Sequence, residues 1–241
     1  MGQPNLLMLT DHAMKLYNLE DSQSDHHTLI ELKTVRMNSN EQIQQIRYDP
    51  FQKFLLYLDQ NQKNLYCKSI LTSLTLLLIP NLSIQTFTYN FIEKTLFLID
   101  SASQTIRLYT PITCDPSIDI QMHMWTFNDT YNRIHSMDID MESRQLIFAS
   151  RYRFFLSDFS QPNQTKVVYT TDQDIERFIY ESIFKRIFWT TVQSNLSSHS
   201  VHTCNLQFTK CHDTNVRLPF AWPFGFFNVR IDDNSNLIRM K

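Results

Sequence analysis

The densest group of metal-ligand types in the chain is His199-x-x-His202-x-Cys204, followed by Cys211-His212. Imidazole and thiolate are preferred zinc ligands, but this spacing matches no standard zinc module. His202 and Cys204 lie two apart and would share one face of a strand. A hairpin disulfide between Cys204 and Cys211 accounts for the two sulfurs equally well. Cys67 and Cys114 are well separated. His26-His27 could titrate near neutrality, although an exposed loop explains the pair as simply. The acidic pairs Asp138/Asp140 and Asp232/Asp233 resemble paired catalytic carboxylates only superficially, because Asp140 belongs to a repeat described below. No nucleophile elbow, P-loop or His-Glu-x-x-His occurs. The reading is of a non-enzyme, with no cofactor and no metal.

The elements that carry these residues follow from composition. The chain has 241 residues and a net charge of −2, which gives no electrostatic case for nucleic acid or an acidic membrane surface. Its 18 Phe and 10 Tyr favour strands. The longest apolar run, Ile70 to Pro80, is too short to span a bilayer, so no direct membrane insertion is expected. The opening MGQPNLLMLT lacks the pattern of a secretory signal. Only Gly2 and Gly225 occur. Turns must therefore be made by Asn, Asp and Ser, which tolerate unusual backbone angles best after Gly.

A short apolar-aromatic motif repeats along the chain. It reads Leu7-Met8-Leu9-Thr10, Leu56-Tyr57-Leu58-Asp59, Phe97-Leu98-Ile99-Asp100, Ile147-Phe148-Ala149-Ser150 and Phe188-Trp189-Thr190-Thr191, with a degenerate copy at Ile238-Arg239-Met240-Lys241. The steps are 49, 41, 50, 41 and 50 residues, the period of propeller blades. Asp49, Asn90, Asp140 and Glu181 each stand seven residues before a motif copy, and each offers a side-chain oxygen. Each unit reads as four short strands, for example Ile43–Tyr48, Phe54–Asp59, Asn64–Ser69 and Leu74–Ile79. Asp172–Phe188 also fits an amphipathic helix. The register of Glu181 and Trp189 favours strands there instead. The repeat positions expected to shape the blades are Asp49, Tyr57, Asp59, Asn90, Phe97, Asp100, Asp140, Phe148, Glu181, Trp189 and Thr190.

This register resembles the low-density-lipoprotein-receptor class B (YWTD) propeller family. Phe188-Trp189-Thr190-Thr191 is similar to the Tyr-Trp-Thr-Asp tetrapeptide, Asp49-Pro50 to the family's strand and turn, and Pro223-Phe224-Gly225-Phe226 to its entry into an inner strand. The departures are the loss of the Trp outside Trp189, of the motif Asp outside Asp59 and Asp100, and of the usual glycines. The resemblance implies a six-bladed extracellular receptor module beside epidermal-growth-factor-like (EGF-like) modules, binding a protein ligand on one disc face. Asn81, Asn128, Asn163 and Asn195 lie in glycosylation sequons that would be used if the chain is secreted.

Residues 1–241 are accordingly expected to be one all-β domain, a six-bladed propeller that is incomplete at its C-terminus. It would open on a second strand, Leu6–Leu9, and close on an inner strand, Phe224–Ile231, with a further strand at Asn236–Lys241. The competing architecture is a closed five-bladed ring. Competing functions are a lactonase- or esterase-type propeller hydrolase, which needs metal-binding side chains on the central axis, and a cytoplasmic scaffold of the NHL or WD type.

Overall fold

A computed structural model describes residues 6–10, 13–20, 28–36, 43–59, 61–72, 74–125, 133–159, 161–182, 184–192 and 199–218. No helix occurs among them. The described strands fall into two compact units. The first contains an antiparallel three-stranded sheet of β1 (Leu6–Thr10), β2 (Ala13–Glu20) and β3 (Thr28–Arg36).

The second unit spans Ile43–Gly225 and is built from four antiparallel four-stranded sheets, each in simple chain order. Blade A is β4 (Ile43–Asp49), β5 (Phe54–Asp59), β6 (Leu65–Ser69) and β7 (Thr75–Leu77). Blade B is β8 (Ile84–Asn90), β9 (Thr95–Asp100), β10 (Ile106–Thr110) and β11 (Gln121–Trp125). Blade C is β12 (Ser136–Asp140), β13 (Gln145–Ala149), β14 (Arg153–Asp158) and β15 (Gln161–Thr170). Blade D is β16 (Ile175–Glu181), β17 (Arg186–Val192), β18 (His199–Asn205) and β19 (His212–Leu218). The inner strands adjoin in the order β4, β8, β12, β16. This is a four-bladed β-propeller unit.

The six-bladed expectation, and the five-bladed alternative with it, is therefore corrected to four blades. The physical reason lies in the strand pairing. The motif copies that begin at Leu56, Phe97, Ile147 and Phe188 lie in the second strand of a four-stranded sheet, whereas the copy at Leu7–Thr10 lies in β1, the edge strand of the three-stranded sheet. The stretches Phe224–Ile231 and Asn236–Lys241 lie outside the described residues. The ambiguous Asp172–Phe188 segment is strand, turn and strand, with Ile175–Glu181 paired antiparallel to Arg186–Val192 and the Phe184 amide donating to Glu181 Oε2 at 2.9 Å in the turn.

The core lies between the blades. Second strands are buried on both faces, as in β5 and β9, and alternate residues point to opposite neighbours. Leu56 and Leu58 pack with Leu96 and Leu98 between blades A and B. Phe97 and Ile99 pack with Leu146 and Phe148 between B and C. Ile147 and Ala149 pack with Ile187 and Trp189 between C and D. Trp189 there meets Phe154 edge-on at 5.4 Å and Tyr169 at 5.6 Å. Tyr57 points to the other face of β5 from Leu56; it is buried and stacks on Tyr66 at 5.2 Å.

Candidate functional site

Each blade turns between its first and second strands on the same side of the unit, and its third-to-fourth turn emerges beside it. The first turn is built by the repeat residue. Asp49 Oδ1 accepts the Phe51 and Gln52 amides at 2.8 and 2.7 Å. Asn90 Oδ1 accepts those of Ile92 and Glu93 at 3.0 and 3.2 Å. Asp140 takes the Glu142 amide and the Ser143 hydroxyl. Asp59 and Asp100 do the same at the opposite end, where Asp59 accepts Asn61 and Gln62 amides at 3.2 Å. Burial pushes the Asp100 carboxyl up, but bonds from Ser103, the Ala102 amide and Arg107 outweigh it and hold the group below the usual carboxylate range.

Four residues after each acceptor the chain enters the left-handed region. Lys53, Lys94, Arg144 and Lys185 have φ of 56°, 55°, 56° and 50°. This corrects the expectation that Asn, Asp and Ser would fill such positions in a glycine-poor chain. Those residues supply the side-chain acceptors instead, and basic residues take most of the left-handed angles. Each carbonyl there is fixed by the amide of a buried residue from the neighbouring turn: Ile70 to Lys53 at 2.9 Å, Ile112 to Lys94 at 2.8 Å, Phe159 to Arg144 at 3.1 Å and Leu206 to Lys185 at 3.0 Å.

These turns present apolar side chains to solvent. Phe51 is 69% exposed, Ile92 61% and Phe184 57%; Leu71, Leu74 and Ile118 on the adjoining turns are exposed as well. The remaining exposed large hydrophobic residues among those described, Leu77, Met122, Met124 and Val167, lie on the outermost strands β7, β11 and β15. The turns at the opposite end carry none among the described residues. Phe51 of blade A and Phe91 of blade B approach with ring centroids 5.7 Å apart.

Between blades, a tyrosine one place before the acceptor reaches back to the preceding blade. Tyr89 Oη donates to Asp49 Oδ2 at 2.7 Å, with both residues buried. Burial, that hydrogen bond and the Asp49 charge push the phenol far above its usual range, so it stays a donor. At the interface between blades C and D, burial and then the charge of Asp140 raise the Tyr180 phenol too. At the middle interface the equivalent residue is Ile139. Salt bridges follow the same inter-blade direction, Arg144 to Glu93 at 3.1 Å and Lys185 to Glu142 at 2.9 Å.

The inner strands meet around Asp138. Its carboxylate takes Arg47 Nη2 from blade A at 3.2 Å, the Thr88 hydroxyl from blade B at 3.4 Å and the Tyr180 amide from blade D at 3.1 Å. The Gln45 amide is used up on Thr86 and the Phe87 backbone. A hydrolase would need converging free carboxylates or amides here. Among the described residues, no group of three His, Cys, Asp or Glu side chains could hold a metal ion.

The zinc-like cluster is otherwise engaged. Cys204 and Cys211 form a disulfide. His199 Nδ1 stands 2.8 Å from Glu176 Oε2. His202 hydrogen-bonds Thr191 at 2.9 Å and stacks on Trp189 at 5.3 Å. Cys67 and Cys114 also form a disulfide, joining β6 of blade A to the connection after β10 of blade B. Their wide sequence separation of 47 residues is roughly one blade step, which brings them together. Thr190 is buried on β17. Asn81 is exposed in a left-handed turn and Asn163 lies in β15, while Asn128, Asn195, His26, His27, Asp232 and Asp233 lie outside the described residues. Sequence reasoning missed the Tyr89 latch and the basic turn positions, although Tyr48, Tyr89 and Tyr180 and the basic residues recur in the same register as the acceptors.

No family model matches the chain, and no curated protein does. Among solved structures, the chain is similar to the β-propeller domain of Cps50 (Swd1) from Myceliophteria thermophila. The identity is 12% and the TM-score 0.49, over 75% of this chain and 64% of that one. The propeller itself rests on the four blades rather than on this likeness. The expected identity as a low-density-lipoprotein-receptor class B module is corrected: four blades stand where that family's ring has six. The extracellular receptor location implied by that resemblance falls with it.

Proposed function

We propose that the chain is a non-catalytic scaffold of the WD or NHL kind that holds a protein partner on its turn face. The observation that carries this reading is the concentration of exposed apolar side chains on that face, with Phe51, Ile92 and Phe184 projecting from equivalent turns of three blades. Contiguous exposed apolar surface on an otherwise polar protein marks interaction sites. The turns themselves are over-determined by buried acceptors and fixed carbonyls, so the surface is presented without an ordering cost at binding.

Proximity labelling and cross-linking in cells test this. A Phe51→Ser/Ile92→Ser/Phe184→Ser variant is expected to lose the partners that cross-link to the turn face. A Met124→Ser/Val167→Ser control on the outer strands is expected to keep them. Unchanged cross-links in the triple variant overturn the reading.

A further inference from the structure

The four left-handed basic residues are not electrostatically equivalent. Arg144 is met by Glu93 at 3.1 Å and Lys185 by Glu142 at 2.9 Å, each acid coming from the preceding blade. At the step from blade A to blade B the corresponding positions are Phe51 and Gln52, and Lys94 has no ion-pair partner among the described residues. Lys53 has none there either. The Asp49 carboxylate, four residues before Lys53, is buried and already accepts Tyr89 and two amides. The two unpaired cations belong to the same pair of turns as the Phe51–Phe91 contact and the exposed Ile92.

We propose that this patch on blades A and B binds an acidic-apolar peptide segment of a protein partner, one bulky apolar side chain packing on Phe51 and Ile92 and flanking carboxylates meeting Lys53 and Lys94. The inference rests on the scaffold reading and narrows it to one pair of blades and one partner chemistry. Charge complementarity selects the occupant: an apolar anchor alone would leave two ammonium groups unanswered at the rim, where opposite charge steers and orients a ligand. A polyanion such as nucleic acid needs many phosphate contacts; here two unpaired cations face an acidic chain of net charge −2.

The experiment uses the full chain, immobilised, with phage-displayed random twelve-residue peptides as the probe. Recovered peptides are expected to carry Phe, Trp or Leu beside Asp or Glu. Their affinities, read by fluorescence polarisation, should fall about tenfold in Lys53→Glu/Lys94→Glu, since each exposed pair contributes up to about fivefold. Lys53→Gln/Lys94→Gln should show a smaller loss, and circular dichroism checks that both variants fold. Recovery of no binders, peptides without acidic enrichment, or charge-reversed affinities within about twofold of the parent overturn the proposal. If Phe51→Ser/Ile92→Ser abolishes binding while charge reversal does not, the peptide chemistry fails and the scaffold reading stands. If neither pair matters, both fail for this face. Dimerisation by sedimentation velocity that Phe51→Ser abolishes would assign the patch to a second copy and also overturn the proposal.

Discussion

Replacing Tyr89 by Phe removes one oxygen from the interface between blades A and B and leaves the ring in place. The Tyr89 hydroxyl donates to Asp49 Oδ2 at 2.7 Å, and the other Asp49 oxygen is occupied by two turn amides. Asp49 is fully buried and Tyr89 is 2% exposed, so water cannot replace the lost donor. A hydrogen bond to a charged group contributes about 1.5–3 kcal/mol, and an abandoned buried acceptor costs its desolvation. A destabilisation of about 2 kcal/mol is expected. With a urea dependence of about 2 kcal/mol per molar, the midpoint should fall by about 1 M. Tyr66→Phe is the control: its hydroxyl bonds Gln62 at 2.8 Å on the surface, so the change should stay within about 0.5 kcal/mol. A double-mutant cycle of Tyr89→Phe with Asp49→Asn should give a coupling of about 1–3 kcal/mol. If Tyr89→Phe behaves like Tyr66→Phe, or the coupling vanishes, the latch is not a stabilising contact.

Trp189→Ala should cost about 3–5 kcal/mol in equilibrium unfolding, because Trp189 is 3% exposed and touches two rings across the C–D interface and His202 within blade D. Lys94→Gly should be neutral or stabilising by differential scanning calorimetry, since relief of a left-handed backbone offsets the added unfolded-state entropy; Lys94→Val should lower stability by about 1 kcal/mol or more. His135 gives a pH signature. Burial pushes its imidazole below the usual value of 6.5, so the unfolded chain takes up a proton before the folded one does. The folded state should therefore lose stability as pH falls below about 6.5, and His135→Gln should flatten that slope in urea titrations at successive pH values.

The blade was legible from particular residues. Asp49, Asn90, Asp140 and Glu181 fixed where each turn falls, and their register chose strands over a helix at Ile175–Glu181. The number of blades was overread because an apolar tetrapeptide was counted wherever it occurred. Hydrophobic alternation makes a strand, but it does not say which sheet the strand joins: the copy at Leu7–Thr10 is the edge of the three-stranded sheet. The exposed apolar face was not legible. The residue at the tip of each turn is no part of the repeat register, so nothing in the spacing marks Phe51, Ile92 and Phe184, which the tight turns beneath them hold in solvent. The Cys67–Cys114 link required knowing that one blade step returns the chain to nearly the same place.

The Tyr89 latch also says something about how the unit should come apart. It closes the interface between blades A and B, while at the next step Ile139 stands in the tyrosine's place. The disulfide between Cys67 and Cys114 joins the same two blades. Directional bonds to buried carboxylates lock orientation, whereas apolar contact is non-directional. Blades A and B are therefore expected to form one cooperative unit. Native-state hydrogen exchange should show the two opening together, and Tyr89→Phe with the disulfide reduced should let their protection separate.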